Sequence, residues 1–257
     1  MRIATWNING MRARFDLLCH WLRDRRPDIV GLQELKMADD LFPHDDLRAE
    51  GYKAVAHGQK AWNGVAILTR ADAVVTRSGL PGAEDQGARL IGAKIGDLEF
   101  ITVYCPNGKD VTHIDYGRKL AWFDRLADYL AAEHRPDNPI VLCGDFNICP
   151  APIDSWNEEM LAGSIFHTEQ ERARFGRLLD WGFRDLFRDR YPEAQEYSWW
   201  DYRGGAFHRQ LGLRIDFLLA TESVRARLRE VRIDRDYRKK LEGLTPSDHA
   251  SVIADLD

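Results

Sequence analysis

The stretch that most constrains the fold is an apolar run that ends abruptly in polar residues. Residues 140–143 read Ile-Val-Leu-Cys, and Gly144, Asp145, Phe146 and Asn147 follow at once. A short apolar run bounded in this way is typical of a buried strand that ends at the rim of a sheet. Because side chains alternate along extended backbone, Asp145 and Asn147 are predicted to point to the same side. Taken alone, these residues favour an ordinary strand end with an Asx turn.

The same ending recurs along the chain, and the recurrence changes this interpretation. Predicted strands or their adjoining turns carry polar side chains at Asn7, Glu34, Tyr104, Asp216, Asp248 and His249. In a fold of two packed sheets, such strand ends gather at one edge. Each residue also has a structural explanation, such as a turn for Asn7 or a salt bridge for Asp216. That all of them are incidental is much less expected, so the set predicts a functional site.

The order of the predicted elements indicates an α/β fold. A strand at 2–8, a helix with apolar residues from Phe15 to Leu22, and a buried strand at 28–34 open the chain. The strands that follow have no helices between them, which predicts antiparallel pairing in this part. They are predicted at 51–55, 65–68, 74–76, 89–95 and 98–104, with a hairpin at Gly96-Asp97 between the last two.

The second half of the chain returns to a mixed pattern. Its predicted elements are helices at 116–130 and 172–181, a long surface loop at 155–168, and strands at 213–220 and 251–254. No internal repeat, low-complexity tract or flexible linker interrupts this order, so we expect one domain over residues 1–257. With 257 residues, 44% of them hydrophobic, the chain is long enough for a single two-sheet domain.

Composition narrows the setting in which the chain works. The four cysteines form no Cys-x-x-Cys pair, which favours reduced, buried thiols over disulfides or zinc ligands. The N-terminus lacks an apolar signal region and no apolar run is long enough to cross a bilayer, so we expect a cytoplasmic protein with no membrane contact. The formal net charge of −5 does not exclude DNA, because a basic rim can surround an acidic metal centre.

The residue types at the predicted edge suit magnesium-dependent phosphoryl chemistry. Glu34 and Asp248, with an amide oxygen such as that of Asn7, make a set of hard oxygen ligands that suits Mg²⁺. Zinc would prefer more histidine and cysteine. Asp216 can orient His249 through one ring nitrogen, leaving the other to contact phosphate or help to activate water.

The remaining polar residues fit the roles of a base and of phosphate contacts. Asp145 is expected to align or deprotonate the attacking water. Tyr104, Asn107 and Asn147 are expected to hydrogen-bond to the non-bridging oxygens of a phosphate.

Five segments together resemble one enzyme family. They are 5–10 (TWNING), 32–36 (LQELK), 144–147 (GDFN), 213–216 (LRID) and 246–250 (PSDHA). In this order they resemble the exonuclease III family of DNA-repair nucleases, within the endonuclease/exonuclease/phosphatase superfamily, and the resemblance runs from the N-terminus to near the C-terminus. It implies a DNase I-like, four-layer α/β sandwich in which two packed mixed β-sheets are flanked by helices.

The resemblance also implies an activity, a substrate and a cofactor. The activities are cleavage 5′ to abasic sites, 3′-to-5′ exonuclease action on double-stranded DNA, and removal of blocking 3′ groups such as phosphate. The partner is duplex DNA with abasic sites or 3′ ends, and the chain is expected to act as a monomer. The cofactor is Mg²⁺, with Mn²⁺ as an alternative. The implied metal ligands are Asn7, Glu34, Asp145, Asn147, Asp248 and His249, with Glu34 as the main one.

Roles for the catalytic residues follow from the same resemblance. Asp145 is the acid/base residue, and Asn147 positions the nucleophile or stabilises the transition state. His249 pairs with Asp216, and Tyr104 serves the phosphate or the leaving group.

Substrate contacts are implied for Asn107 and Arg203 and for a small apolar pocket lined by Trp199, Leu213 and Ile215. Relatives often carry phenylalanine in place of Trp199, so a bulkier ring is expected to narrow the pocket here. A second departure is Asn9, where some relatives carry an acid, which weakens any ligand shell that uses that position. Further candidates for DNA phosphate contacts are Arg12, Arg14, Lys36 and Arg238 to Lys240.

His167 lies in the weakly patterned stretch before the helix at 172–181. We expect a plain surface histidine there. The competing hypothesis is that His167 and Trp199 crowd the pocket and shift preference from internal abasic sites toward 3′ ends.

Two other classes of function remain open from the sequence. A phosphoesterase of the same superfamily, acting on phosphoinositide, sphingomyelin or RNA, would use Glu34 and the Asp248-His249 pair in the same way. The aromatic cluster at 199–203 and the lack of a membrane-facing apolar stretch argue against it. A non-catalytic nucleic-acid-binding protein would not need the intact set of metal and base residues.

Overall fold

The computed structural model describes residues 1–241 and 243–257. Its helices and strands follow in the order β1 (Arg2–Asn7), α1 (Met11–Arg25), β2 (Ile29–Gln33), α2 (His44–Ala49), β3 (Lys53–His57), β4 (Val65–Thr69), β5 (Val74–Ser78), β6 (Leu90–Ile95), β7 (Leu98–Tyr104), α3 (Ile114–Glu133), β8 (Ile140–Asp145), α4 (Glu158–Leu161), α5 (Glu169–Trp181), β9 (Arg184–Asp185), α6 (Leu186–Arg190), β10 (Trp199–Trp200), β11 (Gly212–Leu213), β12 (Asp216–Ala220), α7 (Glu222–Arg225), β13 (Leu228–Asp234) and β14 (Ser251–Leu256).

Twelve of the strands form two six-stranded mixed sheets, and β10 and β11 pair with each other in a small two-stranded sheet. The first has the order β13-β14-β1-β2-β4-β3, and the second has the order β5-β6-β7-β8-β12-β9. Within each sheet one neighbouring pair is parallel, β1 with β2 and β7 with β8, and the pairs around it are antiparallel. The antiparallel pairing predicted for the middle of the chain is therefore confirmed.

The two sheets pack face to face, and helices cover their outer faces. Ile67 of the first sheet and Phe100 of the second belong to the core between the sheets. Trp21 of α1 packs on the outer face of the first sheet, while Trp122 of α3 and Phe175 of α5 pack on that of the second. The predicted four-layer α/β sandwich is confirmed.

Each sheet contains one β-α-β unit with parallel strands, and these units place the site. The unit β1-α1-β2 carries Asn7 at the end of its first strand and Glu34 directly after its second. The unit β7-α3-β8 carries Tyr104 and Asp145 at the corresponding positions. Because the carboxyl ends of parallel strands share one edge, the polar side chains of both sheets meet at that edge.

The sheets approach each other closely just below this edge. A Cβ atom added at Gly31 would lie 2.6 Å from Thr102 Oγ1 and 2.8 Å from Cys143 Sγ, so only glycine fits there. The buried Gln33 side chain donates to Thr5 Oγ1 (2.9 Å) in its own sheet and to Thr102 Oγ1 (2.7 Å) in the other. This bond links the two sheets beneath the site.

Two strand predictions need correction. The strand predicted at 213–220 is broken, because the backbone between β11 and β12 turns to bury Arg214, whose N–H donates to Asp154 O (2.8 Å). The strand β13 was not predicted. It pairs only with β14 at an edge of the sheet, and its charged residues obscure the apolar alternation that marks a strand.

Removal of the Arg214 guanidinium alone is expected to destabilise the fold, because its buried acidic partners would stay behind. Its guanidinium lies 2.7 Å from Asp154 Oδ1 and 2.7 Å from Asp185 Oδ2; Arg214 and Asp154 are buried, and Asp185 is only slightly exposed. Arg214→Met would leave Asp185 without its ion-pair partner, while Asp154 would keep Arg188 (2.6 Å). An uncompensated buried charge is costly, so the free energy of unfolding should fall by about 3–5 kcal/mol. Denaturant unfolding measures this, with Arg48→Met at an exposed pair as the control. Equal stability of the two variants would show that Arg214 does not hold the fold.

The stretch 155–168 is not the surface loop that was predicted. It contains α4, and His167 is only 3% exposed. The expectation of a plain surface histidine is therefore wrong. The ring can be buried because both nitrogens have partners, Nδ1 with Ile165 O (3.0 Å) and Nε2 with Ser155 Oγ (3.1 Å). Burial also lowers the pKa of His167, which favours the neutral ring.

The cysteines match the prediction. All four are free and buried. Among the described residues, no helix is both long and apolar enough to span a membrane.

Candidate active site

One hydrogen-bonded group joins the two sheets at the shared edge. The Asn7 amide nitrogen donates to Glu34 Oε1 and to Asp145 Oδ2, at 2.9 Å each. Asn7 and Asp145 are buried, whereas Glu34 is partly open to solvent and pairs with Lys36 (2.9 Å). The three polar residues predicted from separate strand ends are thus in direct contact.

The backbone of this edge adopts conformations that non-glycine residues seldom take. Asn9, Glu34, Lys36 and Asn147 have φ values of 50°, 54°, 52° and 51°. Such left-handed conformations are costly for Glu and Lys and persist only where the surroundings hold them. Gly10 N–H donates to Glu34 O (2.7 Å), which helps to hold that turn. The backbone of Glu34 is therefore held by main-chain contacts, and its carboxylate is held by Asn7 and Lys36.

The predicted pairing of Asp216 with His249 is present. His249 Nδ1 lies 2.9 Å from Asp216 Oδ2, and Nε2 faces Asp145 Oδ2 at 3.8 Å. Ser198, which the sequence analysis missed, donates to Asp216 Oδ2 (2.6 Å) and accepts from the Asp216 N–H (3.1 Å). Ser198 thereby fixes the carboxylate that orients the imidazole. Its position directly before the aromatic cluster at 199–203 was the only sequence signal available.

Burial and neighbouring charges set the protonation of His249 and Asp145. Burial alone would lower the pKa of His249, but the charges of Asp216, Asp145 and Asp248 outweigh it and raise the pKa to about 10. The ring is therefore an imidazolium at neutral pH. Burial raises the pKa of Asp145 to about 7, with the charges of Asp216 and Glu34 acting in the same direction and His249 opposing them. Asp145 can thus gain or lose a proton near neutral pH, as an acid/base group must.

The alkaline side of the pH profile should depend on Asp216. Because its charge raises the pKa of His249, Asp216→Asn should lower that pKa by about 1–3 units, and the imidazolium would be lost at lower pH. The alkaline fall in kcat/KM should shift downward by a similar amount. Rates measured from pH 6 to 10 test this, with the exposed Asp72→Asn as control. An alkaline limb that stays in place in Asp216→Asn would mean that His249 does not act in protonated form.

The predicted phosphate contacts lie around the acids. Asn147 N–H donates to Asp145 Oδ1 (2.9 Å), and its side chain donates to Cys105 O (3.0 Å). The exposed Asn107 donates to Asn147 Oδ1 at 3.4 Å. Burial raises the pKa of Tyr104 well above its usual range, as do Glu34 and Asp145. Tyr104 is therefore a hydroxyl donor at all physiological pH values.

The donor set fits a hard divalent cation. Glu34, Asp145 and His249 offer ligand atoms within 4.8 Å of one another. The two carboxylates form a pocket of negative charge that also raises the pKa of Tyr104, and a cation there relieves it. Asn7 presents its nitrogen to both acids, so rotation of the amide is needed for its oxygen to serve as a ligand. The imidazolium of His249 must lose its proton before it can bind metal.

Asp248 lies apart from this group. Its carboxylate accepts from Asn9 Nδ2 (2.8 Å) and from Trp199 Nε1 (3.0 Å). Asn9, which was singled out as a departure from the family pattern, therefore contacts Asp248 directly.

The residues predicted to line an apolar pocket form one buried cluster beside the site. Trp199 pairs with Leu213 across β10 and β11, and both cluster with Ile215. Phe166, the residue next to His167, belongs to the same cluster. Phe166 was not predicted, because it lies in the stretch assigned to a surface loop.

The predicted basic contacts have different outcomes. Arg12 and Arg14 line a groove of about 560 Å³ together with Lys36 and the unpredicted Lys60. Lys239 and Lys240 are exposed. Arg203 is exposed too, but pairs with Asp201 and does not join the apolar cluster. Arg238 is an incorrect prediction as a phosphate contact, because its guanidinium is buried and donates to the carbonyls of Asp248 (3.2 Å) and Trp200 (3.3 Å).

A two-sheet sandwich with acids from both sheets and an aspartate-histidine pair at one edge defines a metal-dependent phosphoesterase class. The chain belongs to the Endonuclease/Exonuclease/phosphatase family, whose model matches residues 4–249. It is 37% identical to exodeoxyribonuclease III of Haemophilus influenzae over 269 residues, covering 100% of both chains.

Solved structures agree with this assignment. The 3′ phosphatase NExo from Neisseria, solved with a product DNA hairpin, is 40% identical and superposes with a TM-score of 0.93, covering 100% of this chain and 99% of that one. An AP endonuclease from Archaeoglobus fulgidus is 35% identical with a TM-score of 0.95 and the same coverage. The resemblance to the exonuclease III family is confirmed.

Proposed function

We propose that this chain repairs DNA by cleaving 5′ to abasic sites, by 3′-to-5′ exonuclease action on duplex DNA, and by removing 3′ phosphate and related blocking groups. It is a phosphodiester hydrolase of the exodeoxyribonuclease III type. The observation that carries the proposal is the bonded group of Asn7, Glu34 and Asp145 beside the Asp216–His249 pair. We further propose that it acts as a cytoplasmic monomer and that residues 1–257 form one domain.

The residues divide the chemistry between them. Asp145 accepts the proton of the attacking water, and Asn147, whose N–H holds Asp145 Oδ1 (2.9 Å), orients that water or the charged phosphate. Tyr104 and the imidazolium of His249 donate hydrogen bonds to phosphate oxygens as negative charge develops. Asn107 contributes a further donor from the exposed rim.

The metal is proposed to be Mg²⁺, with Mn²⁺ as an alternative. Glu34 would be the main ligand, with Asn7 and Asp248 in support and with Asp145, Asn147 and His249 nearby. The bound ion supplies charge stabilisation to the phosphoryl group and the leaving oxygen.

Abasic sites and 3′ ends are favoured as substrates by the pocket. A sugar without a base would dock against the apolar cluster of Trp199, Leu213 and Ile215, and flipping costs least where pairing is already lost. The basic groove at Arg12 and Arg14 would hold the duplex backbone.

A panel of oligonucleotide duplexes tests the proposal. Its members carry an abasic analogue, a 3′ phosphate or a plain recessed 3′ end, and each is incubated with Mg²⁺ or with EDTA. Metal-dependent cleavage of at least one supports the proposal. Binding without cleavage favours the nucleic-acid-binding alternative. RNA and a phosphorylated lipid headgroup are assayed in parallel. Cleavage of one of these without cleavage of any DNA duplex favours the non-DNA phosphoesterase.

Substrate choice should respond to His167. Its ring is bonded to Ser155, which bridges to the pocket residue Leu213, and it adjoins Phe166. His167→Ser removes the imidazole ring next to Phe166. The rate of abasic-site incision should therefore rise about tenfold relative to the rate of 3′-phosphate removal. Trp199→Phe should act in the same direction. The ratio of the two rates, measured on matched duplexes, does not depend on the fraction of folded protein. His44→Ser, at an exposed histidine, is the control. An unchanged ratio in both variants would refute the crowding hypothesis.

A further inference from the structure

A fully buried ammonium group lies beneath the phosphate-facing loops. Lys119, in α3, has no exposed surface. Its Nζ donates to the backbone carbonyl oxygens of Asn147 (2.6 Å) and Asn107 (3.3 Å). These are the two residues whose side-chain amides meet at the rim of the site. One buried charge therefore constrains both loops at once.

The partner of Lys119 ties in a third segment. Lys119 Nζ is bonded to Glu171 Oε1 in α5, and both side chains are completely buried. Glu171 also accepts from the N–H groups of Phe166 and Thr168, at 3.1 Å each, and from Thr168 Oγ1 (2.8 Å). The pair thus links the loops that carry Asn107 and Asn147 to the loop that carries Phe166 and Thr168.

A purely stabilising role explains this arrangement poorly. Desolvation makes a buried ion pair no more stabilising than apolar residues of similar volume. The ammonium instead uses its donors on the carbonyls of two site residues. Asn147 is also held in a left-handed conformation with φ 51°, which needs support from its surroundings.

We propose that Lys119 and Glu171 are positioning residues for the phosphate-facing amides of Asn107 and Asn147. They hold these amides where the transition state needs them, so they act on kcat and leave DNA affinity unchanged. The inference rests on the proposed nuclease function.

Lys119→Met tests the proposal, because methionine keeps the length of the side chain but has neither charge nor donors. A misplacement of about 1 Å costs on the order of 10²-fold in rate, so kcat on a recessed 3′ end should fall by about that factor. The Kd for the same duplex in EDTA should stay within about twofold of the wild type, since the amides contribute to the transition state more than to ground-state binding. Lys119→Arg, which keeps charge and donors, should recover part of kcat. Lys94→Met, at an exposed lysine on β6, is the matched control.

A double variant separates positioning from folding. Lys119→Met with Glu171→Gln leaves no unpaired buried charge, so it should fold even where Lys119→Met alone does not. Positioning predicts that kcat remains low in the double variant, because the two carbonyls still lack their donor. Recovery of wild-type kcat there, or an unchanged kcat in folded Lys119→Met, would overturn the proposal. A fall in DNA affinity that accounts for the whole loss of kcat/KM would do the same.

Assays of the wild-type protein separate a failure of the positioning proposal from a failure of the proposed nuclease function. Wild-type cleavage of the duplex with no effect of Lys119→Met defeats the positioning role alone. A wild-type protein that cleaves none of the duplexes defeats the nuclease proposal and the positioning role with it.

Discussion

Asp145→Asn is expected to lower kcat by at least about 10²–10⁴-fold, the usual contribution of a general acid/base group. Asparagine keeps the shape of the side chain but cannot accept the proton of the attacking water. The buried Asp145 accepts hydrogen bonds from Asn7 (2.9 Å) and from the Asn147 N–H (2.9 Å), and asparagine keeps one of the two through its amide oxygen, so the site should stay assembled. Single-turnover cleavage of a duplex with a recessed 3′ end measures the effect.

DNA binding serves as the control for this substitution. Binding of an intact duplex in EDTA should be at least as tight in Asp145→Asn as in the wild type, because a negative charge near the phosphate has been removed. The exposed Asp72→Asn should leave both quantities unchanged. A variant that cleaves normally but binds poorly would reassign Asp145 to substrate contact.

Glu34→Gln should cause the second large loss, through the metal. The ion contributes several kcal/mol of charge stabilisation, so cleavage at low Mg²⁺ should fall by about 10²-fold or more. Raising the Mg²⁺ concentration should partly restore it, because the Asp145 carboxylate remains. The measurement is the rate as a function of Mg²⁺ concentration.

The fold should survive this change. Glutamine can still accept the hydrogen bond from Asn7, and the left-handed backbone at Glu34 is held by main-chain bonds. Glu84→Gln, at a carboxylate far from the site in sequence and fully exposed, is the matched control. Full activity of Glu34→Gln at low Mg²⁺ would show that another group is the main ligand.

Much of the site was predictable because its residues lie at the ends of strongly patterned strands. Asn7, Glu34, Tyr104 and Asp145 each follow a run of buried residues, and the topology brings such ends together whatever the details of packing. Their contacts span up to 138 positions of sequence, as between Asn7 and Asp145, yet needed only the order of the strands.

The parts that escaped prediction depend on side chains that meet by packing. Lys119 reads as an ordinary polar position on an amphipathic helix, and only the approach of α5 shows that its ammonium is buried against Glu171. The burial of His167 was missed for the same reason, because no local sequence pattern predicts that Ser155 is the hydrogen-bond partner of its ring. In the sequence Arg238 is part of a basic patch, but in the structure its guanidinium is buried against backbone carbonyls.

The close contact between the two sheets at Gly31 makes catalytic activity depend on how the sheets are aligned. The first sheet supplies Asn7 and Glu34, and the second supplies Asp145 and Asp216, so neither sheet holds a competent centre alone. A slip of one residue between them, about 3.3 Å, exceeds the tolerance of every bond in the group. Turnover is therefore a sensitive gauge of how the two halves are aligned, and it should vanish at the first denaturant concentration that lets the sheets part.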